Sequence, residues 1–123
     1  MSTRTLLSYA GCSTCRKAIS WLKAHEVDVT VRAIVDEPPT RVELDKWVPA
    51  SGLPLQKWFN TSGQSYRALD KEEVKSASDA RKLSWLSKDG KLVKRPVLVD
   101  GSTVLVGFDE TKYAAHFSKK KKG

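Results

Sequence analysis

Residues 5–18, TLLSYAGCSTCRKA, constrain the fold more tightly than any other stretch of the chain. Thr5 to Tyr9 is short, apolar and β-prone, so it reads as a strand. Gly11 breaks it, and Ser13 or Thr14 can cap a helix directly after it. Ala18, Ile19, Trp21 and Leu22 then recur at helical spacing, predicting a helix from about Ser13 to His25. The only two cysteines of the chain, Cys12 and Cys15, stand in this strand-to-helix turn, three residues apart.

The rest of the pattern extends this opening into one architecture. VDVTVRAIV alternates Val27, Val29, Val31 and Ala33 against polar positions, which predicts a half-buried strand. Pro38 and Pro39 stop it, and Thr40 with Glu43 forms a capping box. Leu44, Trp47 and Val48 carry a second helix to about Ser51, ended by Gly52 and Pro54. Pro54 can open a short helical turn through Phe59. Residues 60–65 read as loop, Asp70 with Glu73 as a helix start, and Ser78 to Ser87 as a helix ending near Asp89-Gly90. Pro96 to Val99 is a strand, Asp100-Gly101 a hairpin turn, and Thr103 to Val106 the antiparallel return. Asp109 can cap a last helix bearing Tyr113, Ala114 and Phe117. The order β-α-β, helical middle, β-β-α predicts an α/β sandwich on a four-stranded mixed sheet.

At 123 residues, 40% of them hydrophobic, the chain has material for one domain with its own core. The expected domain is 1–118, followed by a basic, disordered tail at 119–123. No apolar run approaches the ~20 residues of a membrane span, and the N-terminal apolar stretch is too short for a signal peptide. A monomeric cytosolic protein is expected, and in the cytosol a close cysteine pair is more often catalytic, redox-sensing or metal-binding than structural. Four of the charges behind the net +8 lie in the tail, leaving 18 basic against 14 acidic residues. With no nucleic-acid module in the sequence, neither nucleic acid nor membrane is expected as a partner.

The chemistry concentrates at the cysteines. At i and i+3 they share one helix face, with Cβ atoms ~5–6 Å apart, close enough to bridge after a small adjustment. A helix N-terminus favours a thiolate, and Arg16 and Lys17 add positive potential. Cys12, at the exposed end, is expected to be the nucleophile, and Cys15, more buried, to resolve the resulting adduct. A zinc site would have to draw on His25 and His116, whose spacing fits no common pattern. Two inert core cysteines fit poorly after a glycine at such a turn.

CSTCRKAISWL, EPPTRVEL, SGLPLQKWFNTSGQSYRAL and KRPVLVDGSTVLVGF together resemble the arsenate reductase/Spx family of thioredoxin-fold proteins, over Thr5 to about Phe117. The resemblance implies a thioredoxin-like sheet with an inserted helical segment, and a cis peptide before Pro96 facing the cysteines. It further implies catalysis by Cys12, Cys15 and Arg95, and a substrate site from Gly11, Ser13, Thr14, Asn60, Thr61, Arg67 and Pro96. No bound cofactor or metal is implied; glutathione with glutaredoxin, or thioredoxin, would serve as reductant. Glutaredoxin-linked arsenate reductases surround one cysteine with three arginines. Of these, only Arg95 is present here, the other two positions falling on Asn60 and Gly107. Arg67 reads either as a compensating clamp or as a surface arginine. Spx-type regulators keep the CxxC, the RKA after it and the arginine before the proline, and bind the C-terminal domain of the RNA polymerase α subunit. Their contact glycine aligns with Pro54 here, two residues from Gly52, and the acidic stretch before it is missing. The chain is most similar to a two-cysteine, arsenate-reductase-like branch between these poles.

Trp21, Trp47, Trp58 and Trp85 lie beside apolar residues, as packing residues do. His25 is placed to cap the first helix, and His116 has no evident partner. The loop Asn60-Thr61-Ser62-Gly63 reads either as an ordinary turn or as a binder of an oxyanion or a glutathione carboxylate.

Overall fold

The computed structural model describes residues 4–61 and 63–121. Four strands, β1 (Arg4–Ser8), β2 (Thr30–Ala33), β3 (Val97–Asp100) and β4 (Thr103–Val106), form one sheet in the order β2-β1-β3-β4. β1 runs parallel to β2 and antiparallel to β3, and β4 closes the sheet antiparallel to β3. The parallel pair needs a crossover, which α1 (Ser13–Ala24) supplies. The β3–β4 pair needs only the two residues between Asp100 and Thr103, and Gly101 at φ +60° takes the first of them. This is the mixed sheet of a thioredoxin-like fold, and the inserted segment between β2 and β3 is helical. It comprises α2 (Arg41–Ser51), α3 (Gln64–Arg67), α4 (Lys71–Ser76) and α5 (Asp79–Lys88), with single 3-10 turns at Leu55–Trp58 and Gly90–Leu92.

Alternation along the central strands divides the core in two. Leu6 pairs with Leu98, and both face Ala18, Trp21 and Leu22 of α1 and Tyr113 and Phe117 of α6 (Glu110–Lys121). Leu7 pairs with Val97, and both face Leu44, Trp58, Leu86 and Val93 of the inserted segment. Trp47 and Trp85 pack against this second cluster. All four tryptophans are therefore packing residues.

The capping box forms as the sequence predicts: Thr40 Oγ1 accepts from the Glu43 amide at 3.1 Å, and Glu43 accepts from the Thr40 amide at 2.9 Å. Arg32 of β2 also grips Glu43 at 2.8 and 2.9 Å, holding its carboxyl below the usual carboxylate range and fastening α2 to the sheet. His25 caps α1, its Nδ1 2.8 Å from the Trp21 carbonyl and its ring stacked on the Trp21 indole at 3.8 Å.

Three expectations need correction. The second strand covers only Thr30–Ala33 and lies at the sheet edge, so Val31 is 54% exposed; Val27 and Val29 pack against the α1/α6 cluster before the strand begins. His116 does have a partner: it lies 2.8 Å from Asp100 Oδ2, which also takes Arg4 Nε at 3.3 Å. And the cap of α1 is neither Ser13 nor Thr14 but Cys12 itself. Within the lysine run expected as a tail, α6 continues through Lys121, and residues 122–123 lie outside the described residues. Among the described residues no helix is long and apolar enough to cross a membrane.

Candidate active site

Cys12 has extended backbone (φ −99°, ψ 120°) directly before α1, and its Sγ accepts from the Cys15 amide at 3.4 Å. The position is built from Tyr9, whose carbonyl takes the Cys12 amide at 3.0 Å and whose own amide donates to Cys15 Sγ at 3.5 Å. One backbone unit at the end of β1 thus places both sulfurs. Both are free thiols, Cys12 half-buried and Cys15 fully buried.

Their surroundings drive the two thiols in opposite directions. Partial burial pushes Cys12 up, but the Cys15 amide, the Cys15 thiol, the Thr14 amide and the charge of Arg95 outweigh it, and its pKa falls below the ordinary thiol value. Burial pushes Cys15 up, and the Cys12 sulfur reinforces that; the Tyr9 amide and the Ser8 hydroxyl oppose it without cancelling it. The pair is therefore asymmetric: a thiolate-forming sulfur at the surface and a proton-holding one beneath it. The cation at Cys12 is Arg95. Arg16, expected to contribute, turns away and donates to the Ala10 carbonyl at 2.9 Å.

Arg95 reaches the site across the sheet. Trp58 and Leu92 exchange backbone bonds with their neighbours (Lys94 amide to Trp58 carbonyl, 2.8 Å; Asn60 amide to Leu92 carbonyl, 2.7 Å), so residues 58–60 run beside 92–94. That pairing delivers Asn60 and Arg95 to the same edge. The Arg95-Pro96 peptide is cis, as the family resemblance implies. The Arg95 guanidinium lies 4.7 Å from the centroid of the Tyr9 ring, donates to the Lys91 carbonyl at 3.4 Å, and leaves a buried Nε without a partner among the described residues. The Tyr9 ring is therefore its main support. Replacing Tyr9 with leucine keeps the backbone contacts and removes the ring. The pH midpoint of Cys12 alkylation is then expected to rise, because the cation that favours the thiolate loses its support, while Tyr9→Phe leaves it in place. Equal midpoints in all three proteins would show that the ring does not position Arg95.

Cys12, Ser13, Thr14, Asn60, Thr61 and Arg95 line one cleft of about 550 Å³. Cys15 and Pro96 lie buried behind it, Gly11 is exposed beside it, and Ser62 lies outside the described residues. Arg67 does not join the others. It lines a separate groove that shares only Thr61 with the cleft. Gly107, where the resemblance would set a family arginine, is on the cleft wall, and an added Cβ there would meet Lys94 Cε at 3.3 Å. Lys94 supplies a second cation that was not expected from the sequence, although it directly precedes Arg95; Phe108 adds an apolar wall. Among the described residues no three of His, Cys, Asp and Glu gather as metal ligands.

A thioredoxin-like sheet with a thiol pair at the first helix, faced by a cationic cleft, defines a class of thiol proteins. Comparison with known proteins narrows the class. The chain belongs to the ArsC family, whose model matches residues 7–116. It is 41% identical over 115 residues to protein YusI of Bacillus subtilis (strain 168), covering 93% of this chain and 98% of that one. It is 29% identical over 115 residues to the global transcriptional regulator Spx of Streptococcus pyogenes, covering 94% of this chain and 85% of that one. Among solved structures, an ArsC-family-related protein from Bacteroides fragilis superposes with a TM-score of 0.87 at 42% identity, covering 91% of this chain and 95% of that one.

Proposed function

We propose that this protein is a cytoplasmic thiol-dependent oxidoreductase in which Cys12 attacks and Cys15 resolves. The observation that carries the reading is the opposed character of the two sulfurs, one activated at a helix N-terminus beside Arg95 and one buried and protonated a turn away. With a disulfide substrate, the Cys12 thiolate forms a bond to one sulfur and expels the other as a thiolate. Cys15, on losing its proton, attacks Cys12 Sγ and releases the second substrate thiolate. Two electrons pass to the substrate, the two thiol protons go to the leaving sulfurs, and the Cys12–Cys15 disulfide remains. With arsenate, Cys12 would displace hydroxide from arsenic(V), and attack by Cys15 on Cys12 Sγ would release arsenite. A cellular dithiol, or glutathione with glutaredoxin, resets the pair. Arg95, with the side chains of Asn60 and Thr61, orients the anion, and Lys94 adds charge to the cleft.

Fully reduced protein incubated with arsenate, and separately with peroxide, decides between substrates by alkylation and mass. Loss of two thiols with arsenate, faster than in the arsenate-free control, is the expected result for an oxyanion reductase. Loss with peroxide alone would remove arsenate from the reading and point to a redox switch.

The similarity to Spx over 94% of this chain supports a second reading, a redox-controlled regulator that binds the C-terminal domain of the RNA polymerase α subunit. Capture of that domain by one redox state only would favour it; no capture in either state would rule it out.

A further inference from the structure

The groove that holds Arg67, beside the inserted helical segment, is larger than the cysteine cleft, about 780 Å³ in volume. Its floor is apolar: Val74 is buried, and Tyr66 and Leu69 are half-buried. Its remaining walls carry four cations, Arg67, Lys71, Lys75 and Lys82, and among the described residues no carboxylate lines it. Lys71 and Lys75 stand at i and i+4 on α4, where like charges weaken a helix. Two nearby acids are engaged elsewhere. Asp70 caps α4 through the Glu72 amide, and Glu73 pairs with Arg81. None of the four cations makes an ion pair among the described residues.

Thr61 forms part of both this groove and the Cys12 cleft. A chain lying in one can therefore run into the other. An apolar floor under four unneutralised cations matches a segment that combines carboxylates with a large apolar side chain, and repels a basic one.

We propose that this groove docks an acidic polypeptide segment of the protein whose disulfide or thiol is exchanged at Cys12. The groove thereby selects a macromolecular partner by charge, while the cleft performs the chemistry. The role assigned to the partner's sulfur rests on the thiol-exchange reading above; the docking itself does not.

The test uses two fluorophore-labelled, end-blocked peptides without cysteine, EELFEE and KKLFKK, and fluorescence anisotropy at low and high salt. EELFEE is expected to bind the full chain, to weaken as salt rises, and to lose about tenfold or more in affinity to the exposed charge-reversal pair Lys71→Glu/Lys75→Glu. KKLFKK is expected not to bind. Equal binding of the two peptides, or no loss with the variant, overturns the proposal. So does displacement of EELFEE by a single-stranded oligonucleotide of equal charge at the same concentration as by unlabelled EELFEE, because the groove would then read charge alone. A parallel arm uses EELFEE extended by a cysteine carried as a mixed disulfide. Binding of the thiol-free peptide without exchange at Cys12 in this arm would overturn the exchange reading and the partner role, while leaving the acidic docking site standing.

Discussion

Replacing Cys12 with serine is expected to abolish thiol exchange, whereas replacing Cys15 with serine is expected to halt the reaction at a covalent adduct on Cys12. The difference arises from where each sulfur sits. Only Cys12 combines an opening to solvent with a pKa below the ordinary thiol value, held there against its own burial by the Cys15 and Thr14 amides, the Cys15 thiol and Arg95. A serine hydroxyl at that position stays protonated at any working pH and attacks no disulfide. Cys15 is fully buried, and an incoming substrate cannot reach it, but it lies against the Cys12 sulfur that it must attack. Intact mass under non-reducing conditions, after mixing with a small aromatic disulfide, reads both outcomes. The parent should lose two mass units as an internal disulfide, roughly the two thiol hydrogens. Cys15→Ser should retain the added thiol, and Cys12→Ser should gain nothing. If Cys15→Ser reacts and recycles like the parent, the resolving role is wrong.

The largest effect on stability is expected at Gly90. A Cβ on this residue would lie 1.9 Å from the Ile34 carbonyl oxygen, 2.7 Å from its carbon and 3.0 Å from Val35 Cα. Those atoms are backbone, so no rotamer change relieves the clash, and the two chain segments must part. Gly90→Ala is expected to cost about 3 kcal/mol or more, lowering the thermal midpoint by roughly 10 °C or more. Gly52 offers the contrast. It holds the left-handed end of α2 at φ +71° with nothing within 4 Å of an added Cβ, so Gly52→Ala carries only a conformational cost of about 1 kcal/mol. Thermal unfolding of the two variants side by side separates close approach from backbone conformation; equal losses would contradict the packing at Gly90. The consequence reaches the site, because Gly90 opens the turn that leads into residues 92–94, which align Asn60 and Arg95.

Features that depend on near neighbours were legible in the sequence. The Thr40–Glu43 box, the glycine at the β3–β4 turn and the cysteine pair at a strand-to-helix junction each rest on residues within a few positions of one another. Cys12 and Arg95, both singled out in the sequence, line one cleft. The cap of α1 was misread because oxygen-bearing side chains are the usual caps, and a sulfur in that role gives no compositional signal. Long-range partners were invisible for a different reason. Asp100 gathers Arg4 and His116 from opposite ends of the chain, and the Tyr9 ring meets Arg95 only because β1 and β3 are neighbours in the sheet. The second strand was overextended because valines packed against a helix cluster alternate as strand valines do. Arg67 was a fair candidate by type, but α3 directs it into the neighbouring groove.

The meeting at Asp100 also fixes the polarity of the molecule. β1 runs from Arg4, at that meeting point, to Ser8, about 13 Å along the strand and just short of the cysteines. α6 starts beside the cleft wall at Phe108 and reaches the same meeting point at His116. The first and last described elements therefore converge on the pole facing away from Cys12. A surface, a dye or a force probe attached at the Arg4 end of β1 or near His116 of α6 would leave the cysteine cleft pointing outward.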